Sequence, residues 1–169
     1  MNGKQKLIAL VGAPATALLL TYVPKFEGVI LRGYKDPIGI VTACAGHTKT
    51  AVLGRPYTRE ECERLLTEDL VDAAGVVARC ITVPLTLGQR AALASFAYNV
   101  GPGRAGVKDG LCTLKNGNQP QIRLRFNRGD YAGGCRALTE GWNTAAGQVM
   151  PGLTGRRITE RVICEGRLS

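Results

Sequence analysis

Residues 27–47 read EGVILRGYKDPIGIVTACAGH, and the pattern inside this stretch decides what kind of body the chain builds. Glycines recur among β-branched residues from Gly33 to Thr48, the mark of short strands joined by tight turns, which predicts a small antiparallel hairpin region. Ahead of it Glu27 ends the first helical region, Asp36 stands at the start of the hairpin before Pro37, and Thr42 follows on a strand. Taken singly, these residues have ordinary explanations: a solvated helix flank, a turn former and a strand hydroxyl.

Beyond the hairpin the pattern becomes that of helices. Thr58 and Glu61 have capping-box spacing and are followed by Cys62, Leu65, Leu66 and Leu70, so a helix starts near Thr58. The same signature returns at Thr86 and Gln89, followed by Leu93, Phe96, Ala97 and Val100, which predicts a central buried helix. Gly101-Pro102-Gly103 ends it, because that run cannot continue a helix. Short helices are expected near Leu111 to Lys115, Gln119 to Asn127, Tyr131 to Trp142 and Arg156 to Glu165. The fold class that follows is α+β, mainly α, with a small hairpin region and a helical body around the central helix.

Composition narrows the setting. A chain of 169 residues with 45% hydrophobic content buries an ordinary core, and its 22 glycines and 8 prolines point to many tight turns rather than a large all-β body. The formal charge of +9 implies a polyanionic partner, for which nucleic acid, anionic headgroups and an acidic cell wall all qualify. The basic residues are dispersed and lack interleaved aromatics, which speaks against nucleic acid. Cys44, Cys62, Cys80, Cys112, Cys135 and Cys164 form an even set without a CxxC pair, and His47 is the sole histidine, so a zinc site is not expected. Three disulfides in an oxidising compartment, periplasm or exterior, are the expectation; fifteen pairings are formally possible.

Residues 1–24 read as a separate segment. Lys4 and Lys6 precede an uncharged run from Leu7 to Val23, closed by Lys25, which as a helix measures about 26 Å against a hydrocarbon thickness of about 30 Å. It resembles an export signal, but Ala13-x-Ala15 and Ala15-x-Ala17 fall before Leu18, Leu19 and Leu20, too early for cleavage, so an uncleaved membrane segment is expected. Gly12 to Ala17 carries no large aliphatic side chain, which makes insertion weak and reversible. A buried core helix is the alternative, and Pro14 argues against a long straight one.

Glycoside hydrolysis requires a protonated carboxyl to donate to the leaving oxygen and a second carboxylate to activate water or attack the sugar. Glu27-Gly28, Tyr34-Lys35-Asp36, Gly39, Thr42 and Gly46-His47 match, in type, order and spacing, the signature of the phage lysozymes, glycoside hydrolase family 24. Outside it Tyr57-Thr58, Glu61-Cys62, Leu65-Leu66, the run Phe96 to Gly101, Gly134-Cys135, Trp142, Gly152-Leu153, Arg156-Arg157 and Cys164 resemble the lambdoid members. With its N-terminal segment the chain is similar to the signal-arrest-release endolysins. The resemblance runs from Glu27 to Cys164; Pro37-Ile38 and the region from Gly101 to Gly110 lie at variable positions.

This resemblance implies a lysozyme-like fold and a muramidase that hydrolyses the β-1,4 bonds between N-acetylmuramic acid and N-acetylglucosamine, an endolysin for host cell lysis. Glu27 would be the general acid, Asp36 the carboxylate activating water and Thr42 a hydroxyl holding it, with inversion of configuration. Gly46, Asn99 and Gly101 would contact substrate, His47 would tie the hairpin structurally, and no metal or cofactor is needed. Burial against Phe26 and the central helix would keep Glu27 protonated. It also implies pairing of Cys44 with Cys62, Cys80 with Cys112 and Cys135 with Cys164, each loop adding about 2 to 4 kcal/mol. Domain boundaries fall at 1–24, the membrane segment, and 25–169, the catalytic domain. Expected partners are peptidoglycan and, before release, the inner membrane through residues 7–23; a monomer is expected, first on the periplasmic face of that membrane and then in the soluble periplasm. No cysteine precedes Cys44, which rules out thiol exchange from the anchor. Two other readings stay open: a lytic transglycosylase, which needs one acid only, and an inactive membrane-anchored wall-binding module, which intact Glu27, Asp36 and Thr42 disfavour.

Overall fold

The computed structural model describes residues 1–168 and divides into two compact units, Met1–Val71 and the chain from Asp72 onward. Among the described residues, seven helices and two small two-stranded sheets make the fold mainly α with a minor β part.

The first unit opens with α1 (Gly3–Val11) and α2 (Ala13–Glu27), which meet at Gly12 with a bend of 115°. Asn2 and Gln5 cap α1 reciprocally, and Pro14 sits in the first turn of α2, where its missing N–H costs no intrahelical bond. Among the described residues no single helix is long and apolar enough to cross a membrane; α1 and α2 meet that requirement only together. Leu7, Val11, Ala15, Leu19 and Val23 are all buried. The hairpin region expected from Gly33 to Thr48 contains β1 (Ile30–Lys35), which starts three residues earlier, and β2 (Val41–Cys44), an antiparallel pair.

Then α3 (Arg59–Cys80) begins where its capping box predicts: Thr58 accepts from the Glu61 N–H at 3.1 Å and the Glu61 carboxylate accepts from the Thr58 N–H at 2.8 Å. Cys62, Leu65, Leu66 and Leu70 are buried on one stripe.

In the second unit, α4 (Leu87–Val100) carries the capping box of Thr86 and Gln89 and is buried from Ala91 to Ala97, as the central helix of the reading requires. It packs against α7 (Pro151–Cys164), while α5 (Gln121–Asn127) pairs with α6 (Tyr131–Ala137). The helix expected near Leu111 to Lys115 does not form. Its backbone groups are taken elsewhere: Leu111 N–H donates to the Gly101 carbonyl, Cys112 N–H to Pro102, Leu114 N–H to Asn118 and Lys115 N–H to the Asp109 carboxylate. Also, α6 stops at Ala137 rather than Trp142, and α7 starts at Pro151, five residues before its expected start, using proline in its first turn. The small hairpin of β3 (Thr144–Ala145) and β4 (Gln148–Val149) was not anticipated.

At the start of α3 the Glu61 carboxyl is held below the usual carboxylate range, chiefly by the Thr58 N–H and further by Arg55, whose Nη2 lies 2.6 Å from it. Its folded-state value lies below the unfolded one, so this contribution is complete above the unfolded range and is lost as pH falls through the folded value. Thermal unfolding of the wild type and of Glu61→Gln, followed from neutral into acid, is therefore expected to converge as pH drops. A gap that stays constant with pH overturns this assignment.

Candidate active site

Glu27 is the last residue of α2, and the chain leaves the helix through Gly28 at φ 71, a left-handed conformation that suits glycine. The Gly28 N–H closes the helix on the Pro24 carbonyl at 2.9 Å. That turn delivers the chain directly into β1, leaving the Glu27 side chain half-buried at the junction. Phe26 beside it is also half-buried.

Asp36 follows β1 at the tip of the hairpin. Its backbone closes the loop twice, donating N–H to the Ile40 carbonyl and accepting from the Gly39 N–H, each at 2.9 Å. Its Oδ1 accepts the N–H groups of Ile38 at 3.0 Å and Ile40 at 2.8 Å. Pro37, Ile38 and Gly39 thus form a three-residue loop, with Gly39 at φ 86. The carboxylate is fixed by the loop it belongs to.

Thr42 lies on β2 opposite Tyr34 and is buried; its hydroxyl donates to the Ile40 carbonyl at 3.1 Å. A hydroxyl whose proton is committed offers an approaching group only its lone pairs. Past β2 the chain folds back so that Ala43 and His47 exchange two backbone bonds of 2.9 Å, with half-buried Gly46 inside the turn.

Two fasteners hold this segment to α3. Cys44 is bonded to Cys62, Cα to Cα 5.0 Å. The buried His47 ring places Nδ1 2.7 Å from Asp69 and Nε2 2.7 Å from the Thr50 hydroxyl. Because Nε2 also accepts the Thr50 backbone N–H at 3.1 Å, the ring proton sits on Nδ1 and is donated to the Asp69 carboxylate, which Lys49 also contacts at 2.9 Å. His47 is thereby a structural tie. Tyr57, buried nearby, accepts the Val52 N–H at 3.0 Å.

Glu27, Asp36, Thr42 and Gly46 thus occur on one continuous path through α2, β1 and β2 in the first unit, whereas Asn99 and Gly101 belong to the second. Asn99 is exposed on the last turn of α4, and Gly101 ends that helix at φ 74. The second unit holds the other two disulfides, Cys80–Cys112 and Cys135–Cys164, with Cα separations of 5.3 and 5.6 Å. Its sequence reading passed over the link from Asn99 to Arg157, whose Nη2 donates to Oδ1 at 3.0 Å. The signal was partial: Arg156, Arg157 and Glu160 stand at helical pairing distance, but nothing local connects them to α4.

The phage lysozyme family model matches residues 24–160. Proteins named SAR-endolysin from Bacteriophage PS119 and Enterobacteria phage P21 are each 37% identical over 158 residues, covering 90% of this chain and 87% and 88% of theirs. Among solved structures, the muramidase domain of SpmX from Asticaccaulis excentricus is similar with a TM-score of 0.73 and 26% identity, over 94% of this chain and 97% of that one.

Replacing Asp69 by asparagine removes the charge that the His47 N–H faces, and bonds to charged partners contribute about 1.5–3 kcal/mol. Chemical denaturation of Asp69→Asn is expected to show a loss of about that size. Unchanged stability overturns the structural role of His47.

Proposed function

The chain belongs to the phage lysozyme family and is a glycoside hydrolase that lyses peptidoglycan, and from this premise we propose that Glu27, Asp36 and Thr42 cut its glycan strand with inversion. The bond is the β-1,4 link between N-acetylmuramic acid and N-acetylglucosamine. The observation that carries this reading is the Asp36 loop, which fixes a carboxylate by two of its own backbone N–H groups and leads into a strand whose Thr42 hydroxyl has already spent its proton on Ile40.

Protonated Glu27 donates to the glycosidic oxygen as the carbon–oxygen bond breaks, and becomes carboxylate. A water on the opposite face of the sugar gives one hydrogen bond to the Thr42 lone pairs and the other to Asp36. Its remaining lone pair then points at the anomeric carbon. As that bond forms, Asp36 takes the water's proton, leaving a reducing muramic end of inverted configuration. Gly46, Asn99 and Gly101 contact the strand without taking part in bond making.

The enzyme acts on the host wall from the periplasm. We infer further that residues 7–23 first lodge weakly in the inner membrane, Lys4 and Lys6 holding the N-terminus on the cytoplasmic side. Supporting this is the small-residue stretch from Gly12 to Ala17, whose insertion gains little, and the fact that α1 and α2 reach spanning length only jointly. In lipid the backbone must satisfy its bonds internally, which favours a continuous helix over the 115° bend. Glu27 lies just beyond Val23, so a membrane-lodged segment holds the acid at the bilayer surface, away from Asp36 and Thr42. Leaving the membrane is then the activating step.

Glu27→Gln is expected to fold normally and lose at least about a hundredfold in wall hydrolysis, since the amide keeps the shape without the acid proton. Asp36→Asn keeps the oxygen that accepts the loop N–H groups and is expected to keep its melting temperature but lose activity, while Thr42→Ser is mild. Mass spectrometry of the products reports reducing muramic ends; anhydro ends overturn the hydrolytic mechanism, and substantial activity in folded Glu27→Gln overturns the acid.

Replacing Gly12, Ala13, Ala15 and Ala17 together by leucine is expected to leave the protein in the membrane fraction and poorly lytic. The wild type is expected to move at full length to the soluble periplasmic fraction when an uncoupler collapses the membrane potential. A shortened soluble form, or a fully lytic leucine variant, contradicts control by tethering.

A further inference from the structure

We infer that Arg157 is a positioning residue for the glycan strand: it turns the Asn99 amide so that its NH2 group faces outward, as a donor to the acetamido carbonyl of a bound sugar. This rests on the reading of Asn99 as a substrate contact. A guanidinium has five donors and no acceptor, so the Asn99 atom 3.0 Å from Arg157 Nη2 is the amide oxygen. With that oxygen turned inward to a residue that is 1% exposed, the nitrogen is left on the exposed side of the helix end. A neutral NH2 group matches a neutral amide carbonyl, and each sugar of the strand carries one.

The guanidinium that sets this orientation cannot swing. It lies over the Phe96 ring at 4.7 Å, and Phe96 is itself met edge-on by Trp142 at 5.0 Å. Below, Glu160 is fully buried, with Arg157 Nε and Arg156 Nε each 3.0 Å from its carboxylate and the Ser95 hydroxyl donating to it at 2.6 Å. Both cations reach Glu160, and each also donates to a neutral oxygen: the Ser95 carbonyl accepts from Arg156 at 2.9 Å and the Asn99 oxygen accepts from Arg157. Lysine offers no planar fork to stack on Phe96 while reaching both Glu160 and Asn99.

Asn99→Asp separates the two faces of this residue, since it keeps an oxygen for Arg157 and replaces the outward donor by an acceptor. Steady-state kinetics on soluble peptidoglycan oligosaccharides are expected to show KM raised about three- to tenfold in Asn99→Asp, Asn99→Ala and Arg157→Lys, with kcat changed by less than about twofold. Combining Asn99→Ala with Arg157→Lys is expected to add no further rise. The melting temperature of Asn99→Asp is expected to equal or exceed that of the wild type, because its carboxylate faces a cation. If both Asn99 variants leave KM unchanged, Asn99 is not a substrate contact and the underlying reading fails. If they raise KM while folded Arg157→Lys does not, or if the double variant multiplies the effects, Arg157 does not act through Asn99. Should Arg157→Lys not fold, a lowered melting temperature in Asn99→Asp overturns the contact by itself.

Discussion

A two-stranded sheet is marginal in water, and the proposed chemistry depends on one. Backbone bonds tie β1 along its other edge, Gly33 to Gly54 and Arg55 and Leu31 to Tyr57, and attachment at Cys62 and Asp69 fixes the end of the hairpin segment to α3. These two points lie about two turns apart along a rigid helix, or about 10 Å. One fastener alone sets a position and leaves a pivot, while two separated fasteners also set direction. The hairpin therefore inherits the rigidity of α3, and with it the placement of Asp36 and Thr42. Glu27 is bound to the same frame through Gly28, which leads from α2 straight into β1.

Much of this was legible because the deciding interactions are local. The capping boxes at Thr58 and Thr86 rest on partners three residues away, and both helices begin where the pattern places them. The loop of Asp36 is likewise a local device, with acceptor and donors within four residues. The failure at Leu111 to Lys115 has the opposite cause. That segment has adequate helical residues, but its N–H groups find the carbonyls of Gly101 and Pro102, which no window centred on the segment contains. Asn99 is a related case: its position was readable, but its orientation depends on a partner 58 residues away. Similarly, the early turn of α7 is tied from outside itself, Asn143 accepting the Met150 N–H and donating its amide to the Thr154 hydroxyl.

Residues of the N-terminal segment that are poor material for lipid are good material for protein packing. Ala15 and Thr16 are buried, and the Thr16 hydroxyl returns to the Gly12 carbonyl at 2.9 Å beside the bend. Leucines there would favour the bilayer and crowd the folded interior at once. A single choice of small side chains thus biases the segment twice in the same direction.

The three disulfides join Cys44 to Cys62, Cys80 to Cys112 and Cys135 to Cys164, so each bond links cysteines that are neighbours in chain order and no loop encloses another. A polypeptide threaded through a translocon presents its thiols one after another. For this connectivity, an oxidant that joins each arriving thiol to the one just before it, beginning with Cys44, arrives at the native set without reshuffling. Nested or crossed bridges would instead need an isomerase to undo premature bonds. Covalent maturation can therefore keep pace with export and proceed from the amino-terminal end, so that the hairpin is the first part of the enzyme to be locked.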